Sequence, residues 1–127
     1  MENWIIVKES ETGYGTKRVV LEKLFSFAVK ILKFSKDLKS LGNVEVASQL
    51  LRSGTSIGAN IEEAQGGFSK NDFRFKMSLA LKEARETDYW IRLIKASEIV
   101  SVPEDIQNEI KEILKILTAI VKTLNSK

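Results

Sequence analysis

The segment 52–65 contains two glycines, yet it keeps the residue spacing of an α-helix. Small and apolar residues recur there at steps of three and four, which places them on one side of a helix. Each glycine inside a helix costs about 1 kcal/mol relative to alanine, so another interaction must compensate for Gly54 and Gly58. We therefore predict that another helix approaches this segment closely. The predicted helix-packing motif consists of Gly54, Ser56, Gly58 and Asn60.

Periodic apolar residues predict three further helices. The first runs from about residue 19 to residue 41, and the third from about residue 71 to residue 96. Pro103 suits the first turn of a fourth helix, which continues almost to the C-terminus. No β-strand pattern of any length competes with these assignments.

Short connections between these segments determine the expected architecture. Gly42-Asn43 and Gly66-Gly67 end the first and second helices. Helices joined by such short connections lie antiparallel to their neighbours. We predict an all-α protein, an antiparallel up-down-up-down four-helix bundle over residues 19–127, preceded by a short N-terminal arm over residues 1–18.

The residue types that the chain lacks limit its chemistry. Its 127 residues include no cysteine and no histidine, which excludes Ser-His and Cys-His nucleophiles and most zinc sites. Glutamates on the second and third helices resemble a di-metal bundle only superficially, because such sites need Glu-x-x-His. We expect these glutamates to pair with arginine and lysine instead. We predict no catalytic residues, no metal and no cofactor, and therefore a protein that is not an enzyme.

Apolar runs in the chain are all short. None approaches the ~20 residues that span a bilayer, and the first fifteen residues lack the apolar core of a signal peptide. We expect a cytoplasmic protein without a membrane partner.

Basic residues are concentrated in the first helix, although the net charge of the chain is only +3. For an isolated monomer, the simpler interpretation is a solvated face that maintains solubility. Repetition around a ring would instead make a continuous basic surface, and each neutralised phosphate adds salt-dependent affinity for nucleic acid. The candidate nucleic-acid-binding residues are Arg18, Lys23, Lys30, Lys33, Lys36 and Lys39.

Apolar residues outside the expected core stripe suggest self-association. Together they would form a patch larger than a monomer usually exposes, and a ring would bury it through head-to-tail contacts. A broad core stripe would absorb about half of them. Tyr89 and Trp90, beside Arg92, also fit base stacking, although burial at an interface is the favoured interpretation. The candidate oligomer-interface residues are Phe25, Leu32, Phe75, Leu79, Trp90 and Leu93.

Four runs of residues in the second and third helices resemble one family. They are QLLRSGTSIGANIEEA (49–64), SKNDF (69–73), KMSLALKEA (76–84) and the run from Glu86 to Ile94. They resemble the four-helix-bundle proteins typified by the product of 23S rRNA intervening sequences, a group that includes the accessory variability determinant of retroelements. The resemblance implies a bacterial or phage-type cytosolic protein that forms a homopentameric ring, with a non-enzymatic role and nucleic-acid binding in some members.

Two functional hypotheses follow from the lysines and the resemblance together. The first is a homopentamer that binds structured RNA, ribosomal RNA or DNA through a basic surface, as an accessory or scaffold factor. The second is an oligomeric adaptor for a protein partner, such as a reverse transcriptase, with incidental basic charge.

Overall fold

The computed structural model describes residues 17–126, which form a four-helix bundle. The prediction of an all-α four-helix bundle is confirmed, and residues 17–126 contain no strand. Residues 1–16 of the expected N-terminal arm lie outside the described residues. Lys17 and Arg18, the last two residues of the expected arm, begin the first helix. The helices are α1 (Lys17–Ser40), α2 (Val44–Ala64), α3 (Lys70–Ser97) and α4 (Glu104–Asn125).

Local signals determine where these helices begin and end. Gly42 has a φ of +94°, the left-handed conformation that glycine adopts at low cost. The amide of Asn43 then donates to the carbonyl of Leu38 at 2.9 Å, so α1 ends at Ser40 and Leu41 is exposed. At the other end of α2, the Ser69 hydroxyl accepts from the Asp72 amide at 3.1 Å and caps α3.

The apolar stripe of each helix faces a shared core. The largest fully buried side chains include Phe27, Leu50, Met77 and Leu117, one from each helix. Helices that follow each other in sequence pack together, and α4 closes the bundle against α1. No described helix has the length and apolar character that crossing a bilayer requires.

Of the two α2 glycines, Gly54 makes the tighter contact with α1, and that contact is with the Ile31 side chain. A Cβ atom placed on Gly54 would lie 2.7 Å from Cγ2 of Ile31 in α1, whereas one on Gly58 would lie 3.7 Å from Cβ of Leu24. The other two residues of the packing motif bond within their own helix. Ser56 donates to the carbonyl of Arg52 at 2.6 Å, and Asn60 donates to that of Ser56 at 2.8 Å.

Candidate nucleic-acid interface

The basic residues of α1 fall into two groups with different surroundings. Lys23 and Lys30 lie on the side of α1 that faces α4. The ammonium of Lys23 is 3.1 Å from Glu112, and that of Lys30 is 3.2 Å from Asp105 and also contacts Glu109. The carboxylates therefore neutralise these two lysines inside the monomer, and a phosphate could bind them only by displacing an ion pair.

Electrostatics at Lys30 agree with this arrangement. The hydrogen bond to Glu109, followed by that to Asp105, raises the pKa of Lys30 above its ordinary value. The lysine is therefore held in its charged form by α4. These contacts connect α1 and α4, the two neighbouring helices whose backbones are in least extensive contact.

The second group is exposed to solvent. Lys33, Lys36 and Lys39 are exposed and make no ion pair with any residue from 17 to 126. Arg18 is also exposed, but its Nε lies 3.2 Å from Glu22 one turn along α1. Exposed pairs of this kind contribute little to stability and exchange readily with other ions.

The acidic partners on α4 were missed by sequence reasoning. Asp105, Glu109 and Glu112 recur at steps of four and three residues, which places them on one side of α4. Lys23 and Lys30 are seven residues apart and lie on one side of α1. The two spacings match. Once α1 and α4 are placed side by side, this match predicts that the lysines of α1 form ion pairs with the acidic residues of α4.

The glutamates of α3 bind an arginine of α2. Nη1 of Arg52 lies 3.2 Å from Glu83, and Nη2 contacts Glu86. The indole of Trp90 donates to Glu86 at 3.0 Å. The Trp90 hydrogen bond, followed by that of Arg52, lowers the pKa of Glu86 below its ordinary value. Among residues 17–126, no three acidic side chains gather in a way that could hold a metal ion.

Beneath this ion pair lies a buried polar contact between α2 and α3. The hydroxyl oxygens of Ser53 and Thr87 are hydrogen-bonded at 3.0 Å, and both residues are fully buried. Thr87 also bonds the carbonyl of Glu83 at 2.8 Å. This pair satisfies polar atoms that would otherwise be costly inside the core.

The candidate interface residues lie on α1 and α3, two helices that are diagonal to each other in the bundle. Phe25 and Leu32 of α1 are 69% and 54% exposed, and Phe75 and Leu93 of α3 are 61% and 43% exposed. Helix α2 lies between α1 and α3, so these residues form two separate rows rather than one patch. Leu79 is partly buried, and Trp90 packs partly against the core.

Comparisons with known proteins agree on one family. The family model described as 23S rRNA-intervening sequence protein matches residues 16–119. A protein of unknown function from the S23 ribosomal protein family of Bacteroides thetaiotaomicron VPI-5482, with a crystal structure at 1.70 Å resolution, is 43% identical. The match covers 81% of this chain and 98% of that one, with a TM-score of 0.76. No curated protein matches the chain.

Proposed function

Because the chain belongs to the 23S rRNA-intervening sequence protein family, we propose that it is a non-enzymatic homo-oligomer that binds nucleic acid. The proposed assembly is a ring of five copies in the cytoplasm. Its proposed role is that of an accessory or scaffold factor for structured RNA, including ribosomal RNA, or for DNA. The family is named for an insertion in ribosomal RNA, which makes RNA the first target to test.

The observation that carries this proposal is the group of uncompensated lysines on α1. Lys33, Lys36 and Lys39 extend into solvent without a carboxylate partner among the described residues. Lys23 and Lys30, in contrast, are engaged by α4. We therefore assign the nucleic-acid contacts of α1 to the three lysines nearest its C-terminus. Such contacts reach phosphates and carry little sequence information.

Self-association is supported by the two exposed apolar rows. Large side chains such as Phe25 and Phe75 are more than half exposed, and burying the exposed part of each would contribute about 1–2 kcal/mol. Two rows on different helices suit head-to-tail contacts, in which one surface meets a different surface of the next copy and the series closes into a ring. A particle of about 14 kDa in light scattering at micromolar concentration would contradict this part of the proposal.

The test of nucleic-acid binding compares two variants with equal charge change. Lys33→Gln/Lys36→Gln removes two proposed phosphate contacts, and Lys70→Gln/Lys95→Gln removes two exposed lysines from the ends of α3. We expect wild type to bind a labelled RNA hairpin at low salt. The first variant should lose on the order of 30-fold in affinity at 0.1 M salt, because each phosphate contact contributes roughly 0.7–0.9 to the salt slope.

The possible outcomes test the binding site on α1 and nucleic-acid binding itself separately. If both variants bind the hairpin as wild type does, the assignment to α1 is wrong. If wild type itself fails to bind RNA and DNA at low salt, nucleic-acid binding is wrong altogether. Both variants leave Lys23 and Lys30 unchanged, because these two lysines pair with carboxylates of α4 and their replacement would also affect the fold.

A protein-adaptor role is the second candidate, and one loop residue favours it. Phe68, in the connection between α2 and α3, is 100% exposed, and aromatic side chains are enriched at protein interfaces. A stoichiometric complex with a protein partner, such as a reverse transcriptase, should then survive nuclease treatment. It should be lost in Phe68→Ser.

A further inference from the structure

A second set of basic side chains lies on the outer face of α3 and α4, away from α1. These residues are exposed, and none makes an ion pair with another residue of the described range 17–126. The set was not among the candidates that the sequence suggested. Its members are Lys82, Arg85, Lys111, Lys115 and Lys122.

Helix α4 separates its charges onto two sides. Asp105, Glu109 and Glu112 face α1, as their contacts with Lys23 and Lys30 establish. Lys111, Lys115 and Lys122 recur at steps of four and seven residues, so they follow one line along a different side of the helix. Glu104 begins that line at the α3–α4 turn, and the line is basic from Lys111 to the C-terminal end.

Helix α3 contributes an arginine and an aromatic ring beside this line. The side of α3 that faces α2 is occupied by Glu83, Glu86 and Thr87. Arg85 and Tyr89 are exposed and one turn apart. The guanidinium of Arg92 lies 5.9 Å from the centre of the Tyr89 ring, but Asp88 compensates its charge at 3.0 Å. The positive charge beside the ring without an ion pair among residues 17–126 is that of Arg85.

The antiparallel packing of α3 and α4 brings these residues to matching heights. Helix α3 ends and α4 begins at the same short connection, so side chains equally distant from it lie level with each other. Tyr89 is therefore level with Lys111, and Arg85 is level with Lys115. We define the α3–α4 basic face as Tyr89 together with four of these five basic residues: Arg85, Lys111, Lys115 and Lys122.

We propose that the α3–α4 basic face binds single-stranded nucleic acid. The lysines contact successive phosphates, and a base stacks on Tyr89. The rise of an α-helix separates Lys111 from Lys115 by about 6 Å and Lys115 from Lys122 by about 10 Å, a span that a flexible single strand can follow. Unpaired bases stack on aromatic rings without sequence preference, and a positively charged track holds the backbone. This inference rests on the proposed function for its class of ligand, but it assigns a different surface and a different form of nucleic acid.

The test uses two triple variants with the same charge change. Lys111→Gln/Lys115→Gln/Lys122→Gln alters the α3–α4 basic face, and Lys33→Gln/Lys36→Gln/Lys39→Gln alters α1. The probe is a fluorescein-labelled oligouridine, with binding followed by anisotropy as salt is varied. The α4 triple should lose about 100-fold in affinity at 0.1 M salt, with a salt slope smaller by about 2, because each phosphate contributes about 0.7 for single strands. The control Lys70→Gln/Lys95→Gln, at the two ends of α3, should bind the oligouridine within a few-fold of wild type, and the α1 triple should lose less affinity than the α4 triple.

A second pair of variants tests the ring. Tyr89→Leu should weaken oligouridine binding by about 10-fold, because stacking of one base on an aromatic ring is worth roughly that factor. Tyr89→Phe keeps the ring and should bind as wild type does. Circular dichroism on each variant verifies that the helices are retained.

Each other outcome overturns a stated part of the inference. If the α1 triple loses oligouridine binding and the α4 triple does not, the α3–α4 face is wrong while the proposed function stands. If Tyr89→Leu binds as wild type does, or if a duplex of equal length binds this face as well as the single strand, the single-strand assignment is wrong. If wild type binds polyglutamate but no nucleic acid, the face is one for acidic proteins, and both this inference and the proposed function fail.

Discussion

Alanine substitutions at the two glycines of α2 should have opposite effects on stability. At either position, replacing glycine by alanine gains about 1 kcal/mol of helix propensity. At Gly54 the added methyl would lie 2.7 Å from Cγ2 and 3.1 Å from Cγ1 of Ile31. Ile31 is fully buried, and its β-branched side chain has one preferred rotamer in a helix, so it cannot rotate away.

The magnitudes follow from the space available at each site. Inserting a methyl into a packed core costs about 1–3 kcal/mol, and the contacts at Gly54 place this substitution toward the upper end. Gly54→Ala should therefore lower the free energy of unfolding by about 1–2 kcal/mol. At Gly58 the nearest atom would be 3.7 Å away, an ordinary contact distance. Gly58→Ala should raise the free energy of unfolding by up to about 1 kcal/mol.

The assay is urea unfolding followed by circular dichroism at 222 nm. All variants are compared at one protein concentration, because self-association would make stability depend on concentration. Ile31→Ala removes both γ carbons that crowd position 54, so the pair should be coupled by about 1 kcal/mol in a double-mutant cycle. Equal stability of Gly54→Ala and Gly58→Ala would show that contact with Ile31 does not limit the side chain at position 54.

Two further predictions concern the contacts between α2 and α3. Thr87→Val keeps the shape of the side chain but removes the hydroxyl that bonds Ser53, so it should cost about 1–3 kcal/mol in urea unfolding. Adding Ser53→Ala should recover much of that loss, and a double variant no more stable than the single would contradict this account. Hydrogen bonds from Trp90 and Arg52 lower the pKa of Glu86, so its contribution to stability is complete above the ordinary value of 4.5 and is lost as the pH falls through the lowered pKa. The urea midpoint is measured above pH 4.5 and again below the lowered pKa of Glu86. The difference between the two midpoints should be smaller in Glu86→Gln than in wild type, and an equal difference in both proteins would count against the ion pair.

The surface lysines illustrate where sequence reasoning stops. Their concentration in the first helix is visible in the sequence, and so is the spacing that places Lys23 and Lys30 on one side. Whether a lysine is available to a ligand depends on what stands opposite it, and that is a property of the neighbouring helix. Carboxylates of α4 neutralise Lys23 and Lys30, while Lys33 and Lys36 have no such partner among residues 17–126.

The apolar surplus shows the same limit. Phe25, Leu32, Phe75 and Leu93 are exposed, as their positions outside the core stripe predict. Their division into two rows depends on α1 and α3 being diagonal in the bundle, which helical periodicity within either helix does not specify. Trp90 is partly buried against the core, and its indole nitrogen donates to Glu86.

The sequence by itself determined the four helices, the side of each helix that faces the core, and the family. Periodicity, turn residues and the small residues at 54 and 58 are local properties, and each acts over a few residues of one helix. Only the tertiary structure decided which charges are neutralised and which remain open to a ligand. Ion pairing depends on distances of a few ångströms between helices that are far apart in sequence, such as α1 and α4. For this reason, the sequence indicated a basic protein, while the bundle identified the lysines of α1 and α4 that have no carboxylate partner among residues 17–126.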